Sequence, residues 1–143
     1  MDVYERAIRI LTIREHSRFE LSRKLLDKGY TDLEVDETIE RLSMEGFLSD
    51  SRFASSFVRS RLRKNAEGKN ILVLRLREKG VSSEIANAAV NEAWDELLFM
   101  EPLRKAYSRL MSKKGRDYAI LSLRKKGFSL SEIRMVSGEF VDE

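Results

Sequence analysis

The sequence predicts an all-α protein of three tandem three-helix repeats, with about nine helices in an elongated array. A basic segment with Leu four residues before Gly occurs three times, at residues 24–30, 75–81 and 122–128. The glycines are 51 and then 47 residues apart, a period typical of a repeated supersecondary unit. Gly after a basic last turn also indicates a helix C-terminus. Because a piece of about 45 residues buries too little surface to fold alone, neighbouring repeats must share a core.

Repeat 1, residues 1–48, contains three predicted helices. The helical spacing of Ala7 and Leu11 predicts the first of them. A capping box, in which Ser or Thr precedes Glu by three residues, starts the other two at Ser17 and Thr31. The predicted ranges are 3–16, 17–29 and 31–46.

Repeat 2, residues 49–97, follows the same plan. Ser49 or Asp50 caps its first helix, and a polar turn at 65–68 separates that helix from the second. Ser82 caps the third helix. The residues of the second helix would also suit a strand, but the repeat favours a helix there.

Repeat 3, residues 98–143, completes the array. Its first helix begins at Pro102, since proline is tolerated at the first helical position. Gly115 separates that helix from the second one, at 117–126. A third capping box, at Ser129, opens the last helix.

Charge alternates along the chain in step with the repeats. Residues 51–80 hold nine Lys and Arg against two Asp and Glu, and residues 104–127 hold nine against one. The other segments are acidic: residues 1–50 have a net charge of −4, residues 81–103 of −5 and residues 128–143 of −3. If corresponding helices of a stack lie side by side, the basic ones merge into one stripe and the acidic ones into another. Repeats 2 and 3 are then expected to carry an anion-binding surface, and repeat 1 to act as a cap or a protein contact.

The candidate contact residues for a polyanion or an acidic protein face are the cations of the two basic segments. They are Arg59, Arg61, Arg63, Lys64, Lys69, Arg75, Arg77, Lys79, Arg104, Lys105, Arg109, Lys113, Lys114, Arg116, Arg124, Lys125 and Lys126. A solvated helix face is the competing interpretation of such runs. Few aromatic residues lie among these cations, so the base-stacking half of a single-strand binding surface is missing.

Composition excludes several classes of protein. The chain has no Cys and one His, so disulfides and His/Cys metal sites are excluded. A Ser-His-Asp triad could use only His16, and the many carboxylates lie on amphipathic helices beside basic residues, so we find no catalytic constellation. We therefore expect neither an enzyme nor a cofactor. No apolar run approaches the roughly 20 residues of a membrane span, and no signal-peptide pattern is present, which fits the cytoplasm.

Two linked stretches resemble the RecX family, bacterial regulators of the RecA recombinase. The first stretch, residues 7–29, carries Leu11, Arg14, Ser17, Glu20, Leu21, Lys24, Leu25 and Gly29. The second, residues 46–80, carries the run GFLSDSRFA at 46–54 and then Phe57, Val58, Arg61, Gly68, Leu76, Lys79 and Gly80. The resemblance covers the whole chain and is weaker in repeat 3.

This resemblance implies a curved array of three-helix repeats that binds the recombinase filament in its groove and inhibits its ATPase and strand exchange. It also implies contact with single- or double-stranded DNA and a role in recombination, DNA repair and the SOS response. We expect a monomer with no long arm before the first helix. The alternative is a general DNA-binding or architectural module that acts on nucleic acid directly, and a scaffold for another acidic protein is a third possibility.

Overall fold

The computed structural model of the chain describes residues 1–138, in which all regular secondary structure is helical. The predicted all-α fold class is confirmed. The helices are α1 (Val3–Ile13), α2 (Arg18–Asp27), α3 (Asp32–Met44), α4 (Asp50–Lys64), α5 (Lys69–Glu78), α6 (Ser83–Asp95), α7 (Met100–Lys114), α8 (Arg116–Lys125) and α9 (Leu130–Ser137). We refer to α1–α3, α4–α6 and α7–α9 as units 1, 2 and 3. The last five residues of the predicted repeat 3 lie outside the described residues.

Side-chain caps start most of these helices where the sequence predicts them. All three predicted capping boxes are present, with Ser17, Thr31 and Ser129 as the N-cap residues. Ser49, rather than Asp50, is the N-cap of α4. The stretch that also suits a strand lies in α5 and is helical.

Several helix boundaries differ from the prediction by one to three residues, and two of these differences have a clear local cause. The first helix ends at Ile13 instead of residue 16, because Arg14 is extended and leads the chain into the capping box of α2. The seventh helix starts at Met100, so Pro102 lies in its first turn, where its missing N–H removes no helical hydrogen bond.

Units 2 and 3 share one hydrophobic core, and unit 1 has a separate one. Leu72 and Val90 of unit 2 belong to the same buried cluster as Leu103 and Leu123 of unit 3. A second cluster is confined to unit 1 and the Leu48 that follows it. The expectation of a core shared by all neighbours is therefore wrong for unit 1, whose boundary with unit 2 is largely charged. Arg52 and Glu15 form an ion pair across that boundary at 2.5 Å.

The middle helices of the units meet end to end instead of packing side by side. The backbone N–H of Gly68, the N-cap of α5, donates to the carbonyl of Lys126 at the end of α8, at 2.8 Å. In the same way, the hydroxyl of Ser17, the N-cap of α2, donates to the carbonyl of Lys79 at the end of α5, at 2.7 Å. We call these two contacts end joints. Each helix end supplies carbonyls with no partner in their own helix, and the start of the next helix donates to them. The prediction that the basic helices lie side by side in one stripe is therefore wrong for the middle helices.

Glycines on one or both sides of each end joint allow this close approach. A Cβ added to Gly68 would lie 2.2 Å from the carbonyl oxygen of Gly127. A Cβ added to Gly80, whose φ is +84°, would lie 2.3 Å from the Cβ of Phe19. The repeated Gly thus ends one helix and admits the start of the next.

Replacing Gly68 with Ala is expected to destabilise the protein by about 1–3 kcal/mol, the range for overpacking a tight site. Gly68 has φ −78°, which Ala adopts without strain, so the loss reports the clash with Gly127 together with the lower preference for Ala at an N-cap. Urea denaturation measures it. The neighbouring exposed change Asn70→Ala is the control and should stay within about 0.5 kcal/mol of the parent. Equal stability of Gly68→Ala and the parent would show that the joint is not tightly packed.

Candidate anion-binding groove

A groove runs between α4 of unit 2 and α7 of unit 3. It consists of two adjoining cavities of about 290 and 160 Å³. Both are lined by Leu62 of α4 and by Pro102 and Lys105 of α7, so the two cavities are neighbours on the same face of the molecule, and we call them together the groove. The first helices of successive units therefore bring the two basic segments of the sequence together, and Lys126, at the joint between α5 and α8, also lines the groove.

Apolar side chains form part of the lining of the groove and cations the rest. Leu62, Ala66 and Ala106 are buried. Six cations contribute to the lining: Arg59, Arg63, Lys64, Lys105, Arg109 and Lys126. Glu101 is the single carboxylate among the lining residues, and no aromatic ring is among them.

Five of the six cations have no hydrogen-bond or ion-pair partner within residues 1–138. Arg59 contacts Glu96 at 3.4 Å, and Glu101 pairs with Arg104 at 2.7 Å. The side chains of the remaining five form no hydrogen bond or ion pair with any described residue: Arg63, Lys64, Lys105, Arg109 and Lys126. Like charges held this close repel one another, so an anion in the groove is stabilised by all of them.

Residues 4–42 of the chain match the family described as the first three-helix domain of RecX, and residues 49–90 match its second three-helix domain. The chain is 35% identical over 131 residues to the regulatory protein RecX of Pelodictyon phaeoclathratiforme, covering 90% of this chain and 82% of that one.

The chain belongs to the RecX family. A second relative, the regulatory protein RecX of Chlorobium phaeobacteroides, is 34% identical and covers 92% of this chain and 88% of its own. The crystal structure of RecX from Lactobacillus salivarius has a TM-score of 0.80 at 24% identity, covering 99% of this chain and 96% of that one. Another crystal structure of a regulatory protein RecX also has a TM-score of 0.80, at 21% identity, over 96% of this chain and 70% of that one. At these identities, the two structures show the shared fold alone. The resemblance found in the sequence is confirmed.

Two of the predicted contact residues of this RecX-family chain are held in an internal ion-pair triad. The carboxylate of Glu67 accepts hydrogen bonds from Arg61 at 3.0 and 2.9 Å and from Arg75 at 2.9 and 2.6 Å. The Glu67 side chain is 9% exposed. Burial alone would raise the pKa of Glu67, but hydrogen bonds from the two guanidinium groups outweigh it and hold that pKa below its usual value. The triad ties α4, the 65–68 turn and α5 together.

Glu67, which holds Arg61 and Arg75 together, is not among the residues predicted from the sequence. It could have been found there, because it is one of only two acidic residues in the basic segment 51–80 and lies in the polar turn of that segment. An isolated carboxylate among nine cations is a natural centre for ion pairs.

Other predicted contact residues also make contacts inside the molecule. Lys79 lies 3.5 Å from Glu20, and the Arg77 guanidinium donates to the Ser83 hydroxyl. Two lysines lie over aromatic rings: Lys69 Nζ is 6.0 Å from the centre of the Trp94 ring, and Lys114 Nζ is 5.2 Å from the centre of the Tyr118 ring. Arg116 forms an ion pair with Asp117 at 3.6 Å. Lys113, Arg124 and Lys125 are exposed, do not line the groove, and have no partner among residues 1–138. The groove thus gathers one subset of the predicted residues.

No helix within residues 1–138 is both long enough and apolar enough to cross a membrane.

The single His of this RecX-family chain, His16, has a structural position next to the end joint at Ser17. His16 is 1% exposed. Its Nε2 lies 2.7 Å from Lys24 Nζ, and its Nδ1 lies 3.0 Å from the carbonyl of Arg14. Since an ammonium only donates, Nε2 accepts and Nδ1 carries the proton, which is the neutral form of the ring. Burial lowers the pKa of His16, and the neighbouring cations Arg14 and Lys24 lower it further.

We expect His16 to make stability depend on pH in the mildly acidic range. The folded-state pKa lies below the unfolded value of 6.5, so protonation favours unfolding. Stability is complete above about pH 6.5 and falls as pH decreases from there towards the folded-state pKa. Urea denaturation between pH 7 and pH 5 measures this. His16→Gln, which can donate and accept without titrating, should remove the slope; a slope that persists in this variant would assign it to other groups.

Proposed function

We propose that this RecX-family chain is a non-enzymatic regulator that binds in the groove of the RecA recombinase filament. On this proposal it inhibits the ATPase and the strand exchange of the recombinase. Its relatives are called regulatory proteins, and the family resemblance supplies the recombinase as the target. On this proposal the chain acts in the cytoplasm, in recombination and DNA repair.

The observation that carries the proposal is the uncompensated cationic groove between α4 and α7. A recombinase filament encloses DNA, whose phosphates form charge-assisted hydrogen bonds with Lys and Arg and dominate the affinity of proteins for DNA. Five phosphate contacts would give a log–log salt slope of about −3.5 on a single strand and about −4.5 on a duplex. Because no aromatic ring lines the groove, it suits the sugar–phosphate backbone and not the bases, so binding would not depend on sequence.

Unit 1 supports a different part of the proposed function. Residues 1–50 have a net charge of −4, so this end of the chain suits a protein surface better than DNA. Binding through unit 1 and through the groove would tether the chain to both components of the filament. Two linked contacts bind more tightly than either alone, which suits a regulator present in fewer copies than the recombinase.

The direct test of the proposed function is the recombinase ATPase on single-stranded DNA with the chain present at sub-stoichiometric amounts. We expect the rate to fall and the filament to lose stability. An unchanged rate and an unchanged filament would contradict the proposal.

The second candidate function is direct binding of DNA by an architectural module, and the same groove favours it. This candidate predicts tight, steeply salt-dependent binding to naked DNA without the recombinase. The filament regulator predicts weaker binding to naked DNA than to the filament, because the unit 1 contact is then missing. Equal affinities for naked DNA and filament, measured at one salt concentration, would favour the architectural module.

A further inference from the structure

A third cavity lies between units 1 and 2, and we call it the unit cleft. Its volume is about 340 Å³, within the range of roughly 300–1,000 Å³ that ligand sites usually have. Its lining residues come from α4, from the start of α2 with the segment before it, and from the end of α5. Arg63 and Lys64 line both the unit cleft and the groove, so the two sites are neighbours that share two cations.

The unit cleft contains the aromatic ring that the groove lacks. Phe57 lines the cleft, is half-buried, and packs on the buried Phe53 with the ring centres 5.8 Å apart. The Arg61 guanidinium lies 6.0 Å from the centre of the Phe57 ring. Hydrogen bonds to Glu67 hold that guanidinium in place. Nucleic acid bases stack on aromatic rings and on guanidinium planes, so this wall of the cleft suits a base.

Polar groups without a partner flank Phe57 along α4. The hydroxyls of Ser56 and Ser60 and the charges of Arg63 and Lys64 have no hydrogen-bond or ion-pair partner within residues 1–138. From Phe57 to Lys64 the helix rises by about 10 Å, a distance that one nucleotide and a long lysine side chain cover together. The hydroxyls can therefore bind sugar or phosphate oxygens while the two cations bind the phosphate.

Two carboxylates also line the unit cleft, and both are held in ion pairs. Glu15 pairs with Arg52 at 2.5 Å. Glu20 pairs with Arg14 at 3.2 Å and with Lys79 at 3.5 Å. Opposite charges this close offset most of the repulsion that free carboxylates would exert on a bound anion. An uncharged base, whose N–H groups donate to carboxylates, suits this part of the cleft better than a second phosphate.

We propose that the unit cleft binds one base of a single DNA strand, stacked on Phe57, while the neighbouring phosphates of that strand lie in the groove. Arg63 and Lys64 bind the phosphate at the boundary between the two sites. Every base has a π-face, so stacking adds affinity for single strands without a sequence preference. A duplex keeps its bases stacked inside and gains nothing from the cleft. The inference rests on the DNA contact of the proposed function and adds a base-binding site to it.

An oligomer without bases tests this site in the full chain. Fluorescence anisotropy at one salt concentration compares labelled oligo(dT) with a chain of abasic sugars of the same length and label, which carries the same phosphates. We expect oligo(dT) to bind about fivefold more tightly or better, the effect of stacking one base. Equal affinities would overturn the base site and leave the groove intact. Absence of binding to either oligomer would contradict the groove and the base site together.

The variant Phe57→Leu assigns the effect to the unit cleft, because leucine keeps an apolar contact with Phe53 and cannot stack. Its affinity for oligo(dT) should fall about fivefold, to the level of the abasic oligomer, with the salt slope and the abasic affinity unchanged. Tyr118→Leu is the matched control, since it removes another half-buried ring with a lysine over it, outside the cleft. A preference for oligo(dT) that persists in Phe57→Leu would overturn the proposal.

Free dTMP separates a strand from a mononucleotide as the occupant of the cleft. It offers one base and one phosphate but lacks the neighbouring phosphates that the groove binds. It should therefore displace labelled oligo(dT) only at concentrations about 100-fold or more above the Kd of the oligonucleotide. Displacement by dTMP near that Kd would show a site for free nucleotides and overturn the assignment to a strand.

Discussion

Reversing three charges of the groove, in Arg63→Glu/Lys105→Glu/Arg109→Glu, will reduce DNA and filament binding by about 100-fold or more and decrease the salt slope by about 2 to 3. The three side chains form no ion pair or hydrogen bond within residues 1–138, so the substitution breaks no polar contact among the described residues. Fluorescence anisotropy with labelled single-stranded DNA, repeated over a range of salt concentrations, measures both quantities.

A matched variant distinguishes the groove from net charge. Lys113→Glu/Arg124→Glu/Lys125→Glu changes the net charge by the same amount, at exposed positions of the basic segment 104–127 that lie outside the groove. It should lose only the weaker long-range attraction, which salt screens within about 10 Å at 0.1 M. If both triple variants lost binding equally, the groove would have no special role and the charge of the whole basic surface would explain binding.

Replacing Glu67 with Ala will destabilise the protein by about 3 kcal/mol, which lowers Tm by about 10 °C for a chain of this size. The carboxylate accepts four hydrogen bonds from two guanidinium groups, so its loss leaves two adjacent cations without an anion. Thermal unfolding followed by circular dichroism measures the change.

The control for Glu67 is Glu101→Ala, which removes an ion pair of similar length, 2.7 Å, from an exposed site. Exposed pairs contribute about 0–1 kcal/mol, so Tm should change little. Equal effects of the two substitutions would show that burial of the triad adds nothing. Because the pKa of Glu67 is held below its usual value by the guanidinium groups, its contribution should also be lost as pH falls below about 4.5.

Helices and caps could be predicted from the sequence because they depend on residues that are close in the chain. A capping box needs Ser17 and Glu20 three residues apart, and helical spacing needs one turn of neighbours. The arrangement of the helices could not be predicted in the same way. Gly29 and Gly80 look alike in sequence, yet only Gly80 receives another helix, because that contact depends on residue 19 far along the chain.

The candidate site could be predicted only as a set of cations. The sequence predicts both Arg61 and Arg63 as contact residues, although they are two residues apart and lie on different sides of α4. Arg61 pairs with Glu67, whereas Arg63 has no partner among the described residues and lines the groove. Which cation is free is decided by tertiary contacts, and the periodicity of a basic segment carries no information about them.

Electron cryo-microscopy of the chain bound to a recombinase filament on single-stranded DNA will show whether the α4–α7 groove is the DNA-binding surface. We predict that this groove faces the interior of the filament groove, with Arg63, Lys105 and Arg109 within ion-pair distance of DNA phosphates. Unit 1 should contact recombinase subunits. A bound chain whose α4–α7 groove faces solvent, with DNA contacted elsewhere or not at all, would contradict it.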